Sequence, residues 1–182
     1  NQCTFNNGSY GIYYNGSYSP YYTYNTTITN NTFSQQSAYA TYLYFHINFN
    51  FSGNTITTST ANNFYGLYVY NGGVQANSAS QFTTISKNNI NIANNGTGMY
   101  LQYVNGTNTS PVIYPLVSNN FIKIGSGTGA AYGLQTSYSH ANYYHNTFNV
   151  TSGSTTTPAV YLQYGCCYSP LQEFKFNIVA NS

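Results

Sequence analysis

The chain has 182 residues, an ordinary length for one domain, yet only Glu173, Lys87, Lys123 and Lys175 carry a formal charge. Asp and Arg are absent, so two-carboxylate hydrolysis, carboxylate-oriented His triads, Arg phosphate clamps and oxygen-ligand cation cages lack their residues. Three lysines and a net charge of +2 cannot form the basic stripe that nucleic acid requires. Disorder is excluded by 23 Tyr and 11 Phe, and a spanning helix by the Asn, Ser, Thr and Gln that interrupt every apolar run.

What remains is the composition of a β-rich chain. Tyr, Phe, Ile, Val and Thr favour pleated surfaces, the helix formers Glu, Lys and Met are nearly missing, and no window shows a 3.6-residue apolar period. No helix is therefore expected. In chain order, a truncated motif Cys3-Thr4-Phe5 opens a series whose full form is apolar, two residues, Asn, one residue, apolar. The first full copy is Ile28-Thr29-Asn30-Asn31-Thr32-Phe33, and further copies lie at 51–56, 85–90, 117–122, 143–148 and 174–179. Their anchors are Asn31, Asn54, Asn88, Asn120, Asn146 and Asn177. Between anchors a second element recurs as Gly11-Ile12-Tyr13, Tyr42-Leu43-Tyr44, Gly66-Leu67-Tyr68, Gly98-Met99-Tyr100, Gly133-Leu134-Gln135 and Ala159-Val160-Tyr161. Each interval thus holds three short strands separated by Gly, Asn and Ser turns. The stretches 71–81, 104–111, 125–131 and 151–158 read as solvated loops of varying length.

On these repeats the chain resembles the right-handed parallel β-helix proteins of the pectate-lyase-like superfamily, over nearly its whole length. The reading is an all-β fold: one domain, 1–182, forming a right-handed parallel β-helix of about six to seven coils. A β-sandwich with strand exchange between subunits is the alternative, because it produces the same alternation without true repeats. In a β-helix the anchor Asn side chains would hydrogen-bond up and down a column. Asn30, Asn88 and Asn119 would supply left-handed turn residues, and Phe33, Ile56, Ile90, Ile122, Phe148 and Val179 would point inward. Many members of the superfamily are polysaccharide lyases or hydrolases that work through acidic clusters. With Glu173 alone, this chain is expected to be no enzyme and to carry no cofactor.

Other residues with chemistry are few. His46, His140 and His145 could in principle hold a metal, but their spacing fits no ligand pattern, and they are expected at the surface or in a groove. Cys3, Cys166 and Cys167 are candidate disulfide partners. In a β-helix, Cys3 lies too many coils from the vicinal pair for an intrachain bond, so it would meet the C-terminal coil of another copy or remain a free thiol; in a sandwich it could pair internally. Sequons at Asn7, Asn15, Asn25, Asn30, Asn50, Asn95, Asn105, Asn108 and Asn149 are candidate glycosylation sites. A strip of Tyr68, Tyr70, Tyr100, Tyr103, Tyr161 and Tyr164 suits sugar stacking, or else Tyr ladders and subunit contacts.

The chain starts at Asn1 with no secretory leader, which reads as a processed or excised segment of a secreted protein. Its uncharged, Tyr-, Asn- and Thr-rich composition is similar to that of surface proteins of archaea from hot or acidic habitats. The expected function is an extracellular structural protein: a glycosylated subunit of a self-assembling filament, cell-surface layer or appendage, polymerising head to tail. The other reading is a carbohydrate-binding adhesin or viral receptor-binding module. With almost no acids to titrate, stability is expected to be nearly flat from acidic to neutral pH.

Overall fold

The computed structural model describes residues 2–18, 22–74, 82–107, 112–125, 127–151, 156–163 and 173–182. Among them there is no helix, and short strands wind around one core in three parallel sheets. The first sheet has seven strands: Thr4–Asn6, Thr32–Ser34, Thr55–Thr58, Asn89–Ile92, Phe121–Ile124, Thr147–Val150 and Ile178–Asn181. The second has six: Tyr10–Asn15, Tyr39–Tyr44, Phe64–Tyr70, Gly96–Gln102, Ala131–Ser137 and Val160–Gln163. The third also has six: Thr27–Thr29, Asn50–Ser52, Thr84–Ser86, Leu116–Ser118, Asn142–Tyr144 and Phe174–Lys175. The chain is therefore a parallel β-helix of five complete coils with a partial coil at each end, close to the expected number. Parallel pairing of every strand rules out the sandwich, whose sheets are antiparallel.

The core follows from period-2 alternation. Phe33, Ile56, Ile90, Ile122 and Phe148 of the first sheet point inward and are fully buried, as are Phe51, Ile85, Val117 and Tyr143 of the third and Leu67, Met99 and Leu134 of the second. Each such side chain contributes about 1.5–3 kcal/mol by leaving water. The inward column ends less well covered, with Phe5 half-buried and Val179 exposed. Glycine recurs in the second sheet for lack of room. A Cβ on Gly98 would lie 2.4 Å from Cγ2 of Ile122 and 2.6 Å from the carbonyl of Gly133.

Register corrects two of the sequence assignments. Tyr68 pairs with Tyr42, and Leu67 with Thr41, so the second copy of the glycine element is Ala40-Thr41-Tyr42 and not Tyr42-Leu43-Tyr44. A search for an apolar residue passes over Thr41, which nonetheless sits fully buried in the core column. The left-handed turn residue lies before each anchor, at Gln2, Asn30, Gly53, Lys87, Asn119, His145 and Phe176, with φ between 55° and 66°. Asn88 is thus an anchor only, and Lys87 takes the strained position. The loops also differ from expectation in part, because Gly73 and Asn105 continue a small sheet begun by Thr23–Tyr24 and His46–Ile47.

Candidate functional site

The turn between the third and first sheets buries backbone groups that need partners. Asn supplies them. Asn54 Oδ1 accepts from the backbone N–H of Asn31 at 2.9 Å and from its Nδ2 at 3.1 Å. Asn54 Nδ2 donates in turn to Asn88 Oδ1 at 3.1 Å and to the Ile28 carbonyl at 2.9 Å. The same bonds link Asn88 to Asn120, Asn120 to Asn146, and Asn146 to Asn177.

The column ends differently at its two extremes. At the first coil Cys3 occupies the anchor position, donating its backbone N–H to Asn31 Oδ1 at 3.0 Å while its free thiol is exposed. At the last, Asn177 Nδ2 turns back to the carbonyls of Tyr143 and Lys175. Among the described residues, Thr4–Asn6 and Ile178–Asn181 each pair along one side only. Phe176, Ile178 and Val179 are exposed beside the second of these edges. Cys166 and Cys167 lie outside the described residues, so a bond from Cys3 to the C-terminal coil of another copy stays an expectation.

The outer face of the second sheet is paved with tyrosine. Register aligns Tyr10, Tyr39 and Tyr65 in one column, Tyr13, Tyr42, Tyr68 and Tyr100 in a second, and Tyr44 and Tyr70 in a third. Rings within a column stack at 4.7–5.1 Å from Tyr10 to Tyr39 to Tyr65, from Tyr13 to Tyr42 to Tyr68, and from Tyr44 to Tyr70. Neighbouring columns meet edge to face, as Tyr39 does Tyr42 at 5.4 Å. Burial, then the neighbouring phenols, pushes the Tyr42 hydroxyl up to about 12, and burial likewise raises Tyr68, Tyr39 and Tyr100. These four hydroxyls are therefore neutral across the physiological range.

Of the proposed sugar-stacking strip, Tyr68, Tyr70 and Tyr100 lie on this face with faces or edges against other rings. Tyr103 stands at the following corner, stacked on Tyr138 at 5.3 Å, and Tyr161 is exposed two coils beyond Tyr100. Tyr164 is outside the described residues. The column of Tyr44 and Tyr70 passes to amides and hydroxyls: Tyr68 of the neighbouring column donates to Gln102 Oε1 at 3.1 Å, and Ser137 to Gln163 Oε1 at 3.3 Å.

The histidines are not brought together, and no cluster of metal-ligating groups occurs among the described residues. His46, expected at the surface or in a groove, is instead fully buried. Its Nε2 faces the Tyr14 carbonyl at 3.2 Å, which can only accept, so Nε2 carries the proton and Nδ1, at 2.8 Å, accepts from the Thr26 hydroxyl. Burial lowers its affinity for a second proton, against the opposing effect of the Tyr14 bond. His140 is half-buried with Nδ1 3.0 Å from Asn105 Oδ1, and burial lowers it as well. His145 is exposed and stacks on Phe176. Glu173, the lone acid, is bound by Lys175 at 2.6 Å and by the Tyr144 hydroxyl, which hold its carboxyl below its usual range.

The sequons divide by exposure. Asn7, Asn15, Asn25 and Asn30 are exposed, and Asn50, Asn105 and Asn149 are half-buried. Asn95 is buried and its Nδ2, the atom a glycan would use, donates to Asn63 Oδ1 at 3.1 Å. A sugar there would require breaking that pair. Asn108 is outside the described residues. Fold and surface together define a parallel β-helix with an asparagine-laddered turn and a tyrosine-paved face. Comparison with models of known families, with curated proteins and with solved structures found no match.

Proposed function

We propose that the chain is a non-catalytic, extracellular structural subunit that associates end to end in a filament, surface layer or appendage, a structural counterpart of the pectate-lyase-like β-helices. The observation that supports this reading is the pair of single-sided edges, Thr4–Asn6 and Ile178–Asn181, lying in one sheet with one strand direction and one inward column. A second copy placed head to tail would put Cys3 on Asn177 and Phe5 on Val179, covering apolar surface that each end exposes. Unprotected parallel edges of this kind template pairing with another chain, and neither edge carries an inward charge against it.

The strand counts set a condition on the joint. Among the described residues the first sheet has seven strands and the second and third six each, so the two ends are not flush. With both first-sheet edge strands kept, the joint stacks Cys3 on Asn177 and continues the first sheet alone; continuing all three sheets would instead need one edge strand to yield its place, a strand exchange between copies. Glycans at the exposed Asn7, Asn15 and Asn25 would decorate the first coils. The adhesin reading draws less support, because the rings of the tyrosine face cover one another.

Electron microscopy and sedimentation of the 182-residue chain test the proposal. Concentration-dependent fibres are expected, shortened or lost in the Val179→Lys variant at unchanged circular dichroism. A wild-type chain that stays monomeric at high concentration would overturn it.

A further inference from the structure

The first tyrosine column is interrupted. Tyr10, Tyr39 and Tyr65 stack at 5.1 Å per step, but the next residue in register is Thr97, followed by Tyr132. Tyr65 and Tyr132 are thus two strand spacings apart, roughly 9.6 Å along the sheet. That is about twice the stacking distance within the column, so the backbone leaves one ring's thickness between them. The interruption opens as a cleft of about 240 Å³, lined by Asn63, Tyr65, Thr97, Tyr132 and Gln135 with Gly96 and Ala130. Thr97 lies at its floor, 5% exposed. Tyr100 of the neighbouring column tilts toward Tyr65, at 6.1 Å and 33°, without lining the cleft.

We propose that this cleft binds one neutral pyranose ring, held between the faces of Tyr65 and Tyr132. The shape admits a single six-membered ring, since the volume is below that of drug-sized sites. The lining carries no ammonium, imidazole or carboxylate, so it offers nothing to stabilise a charged ligand. It does carry amide and hydroxyl groups at the ring edges. Asn63 Oδ1 is already engaged by Asn95 Nδ2, which leaves the Asn63 Nδ2 as a donor, while Gln135 and Thr97 supply donors and acceptors. An aromatic guest would use the two ring faces and waste these groups; a sugar uses both, stacking its C–H faces on the tyrosines and hydrogen-bonding its hydroxyls. Elsewhere on the sheet the ring faces are closed by one another, which explains why a sugar would sit here and not along the tyrosine strip. The proposal is independent of end-to-end assembly.

The test is titration of the full chain, made in a host that adds no N-glycans, with glucose, galactose, mannose and their β-linked disaccharides, followed by saturation-transfer NMR and calorimetry. One of these sugars is expected to bind with Kd on the order of 1–10 mM, as befits a single ring in a shallow site. Thr97→Tyr, which inserts the missing ring, should abolish binding, and Tyr132→Leu should weaken it at least about tenfold, one decade in Kd. Asn7→Gln, on the first coil, should leave it unchanged. Should Thr97→Tyr fail to fold, Gln135→Ala gives the second reading, with an expected loss of severalfold. The idea is overturned if no sugar in the panel binds, if Thr97→Tyr folds and binds as well as the parent, or if p-cresol competes equally with every sugar.

Discussion

The buried turn and the outer face belong to the same coils yet treat repetition differently. Along the turn, Asn31 to Asn177 repeat one residue without exception, whereas on the face the tyrosine columns are interrupted by Thr97, Gln135, Gln102 and Ser137. Both sets sit on the same parallel register. The difference is in what a vacancy costs. A missing Asn would leave buried N–H and C=O groups without partners, which water cannot reach to replace. A missing Tyr leaves a gap that solvent, or a ligand, can occupy.

Breaking a rung should therefore give the largest effect. Asn88→Ala removes an acceptor for two bonds and a donor of two, and an expected loss of about 3 kcal/mol in urea unfolding follows from the groups left unpaired. Asn177→Ala, at the more solvent-exposed end of the column, should cost far less, and equal losses at both positions would contradict the ladder's role. On the face, Tyr42 is stacked on both sides, by Tyr13 and Tyr68. A Tyr42→Leu, Tyr68→Leu double-mutant cycle should give a coupling of about 0.5–1.5 kcal/mol. A coupling of zero would mean that the rings merely lie side by side.

A smaller change should go the other way. The Thr41 hydroxyl is buried in the core with no hydrogen-bond partner. Thr41→Val keeps the shape and removes the unpaired group, so stability should rise by about 1 kcal/mol. The smallest effect concerns pH and qualifies the flat response expected from composition. His46 and His140 have folded affinities for the proton below the unfolded value, so the unfolded chain binds more protons as pH drops below about 6.5. Stability should decline through that window and level off once both are protonated when folded. Glu173 adds a weak, solvent-screened contribution present above its unfolded pKa and lost as pH falls through its lowered folded one. Replacing His46 with Gln should flatten the profile; a slope unchanged by that substitution would place its source elsewhere. At the alkaline end, the raised Tyr39, Tyr42, Tyr68 and Tyr100 favour the folded state only up to the unfolded phenol pKa near 10, and stability should fall beyond it.

Sequence alone determined the repeat. Asn in a fixed place between two apolar residues, six times over, reflects a local demand: each turn needs an amide that both donates and accepts, and each flanking strand needs an inward side chain. Period and residue type carry that information, so the coil plan and its anchors could be read without coordinates. Tertiary structure decided what depends on neighbours a whole coil away. Thr41 in a core column, Lys87 in the left-handed turn, the burial of His46 and the placement of Thr97 between Tyr65 and Tyr132 follow from register across 26 to 35 residues. No local pattern marks them, because a threonine or a histidine carries the same propensity in the chain whether the coil above it supplies a ring, an amide or nothing.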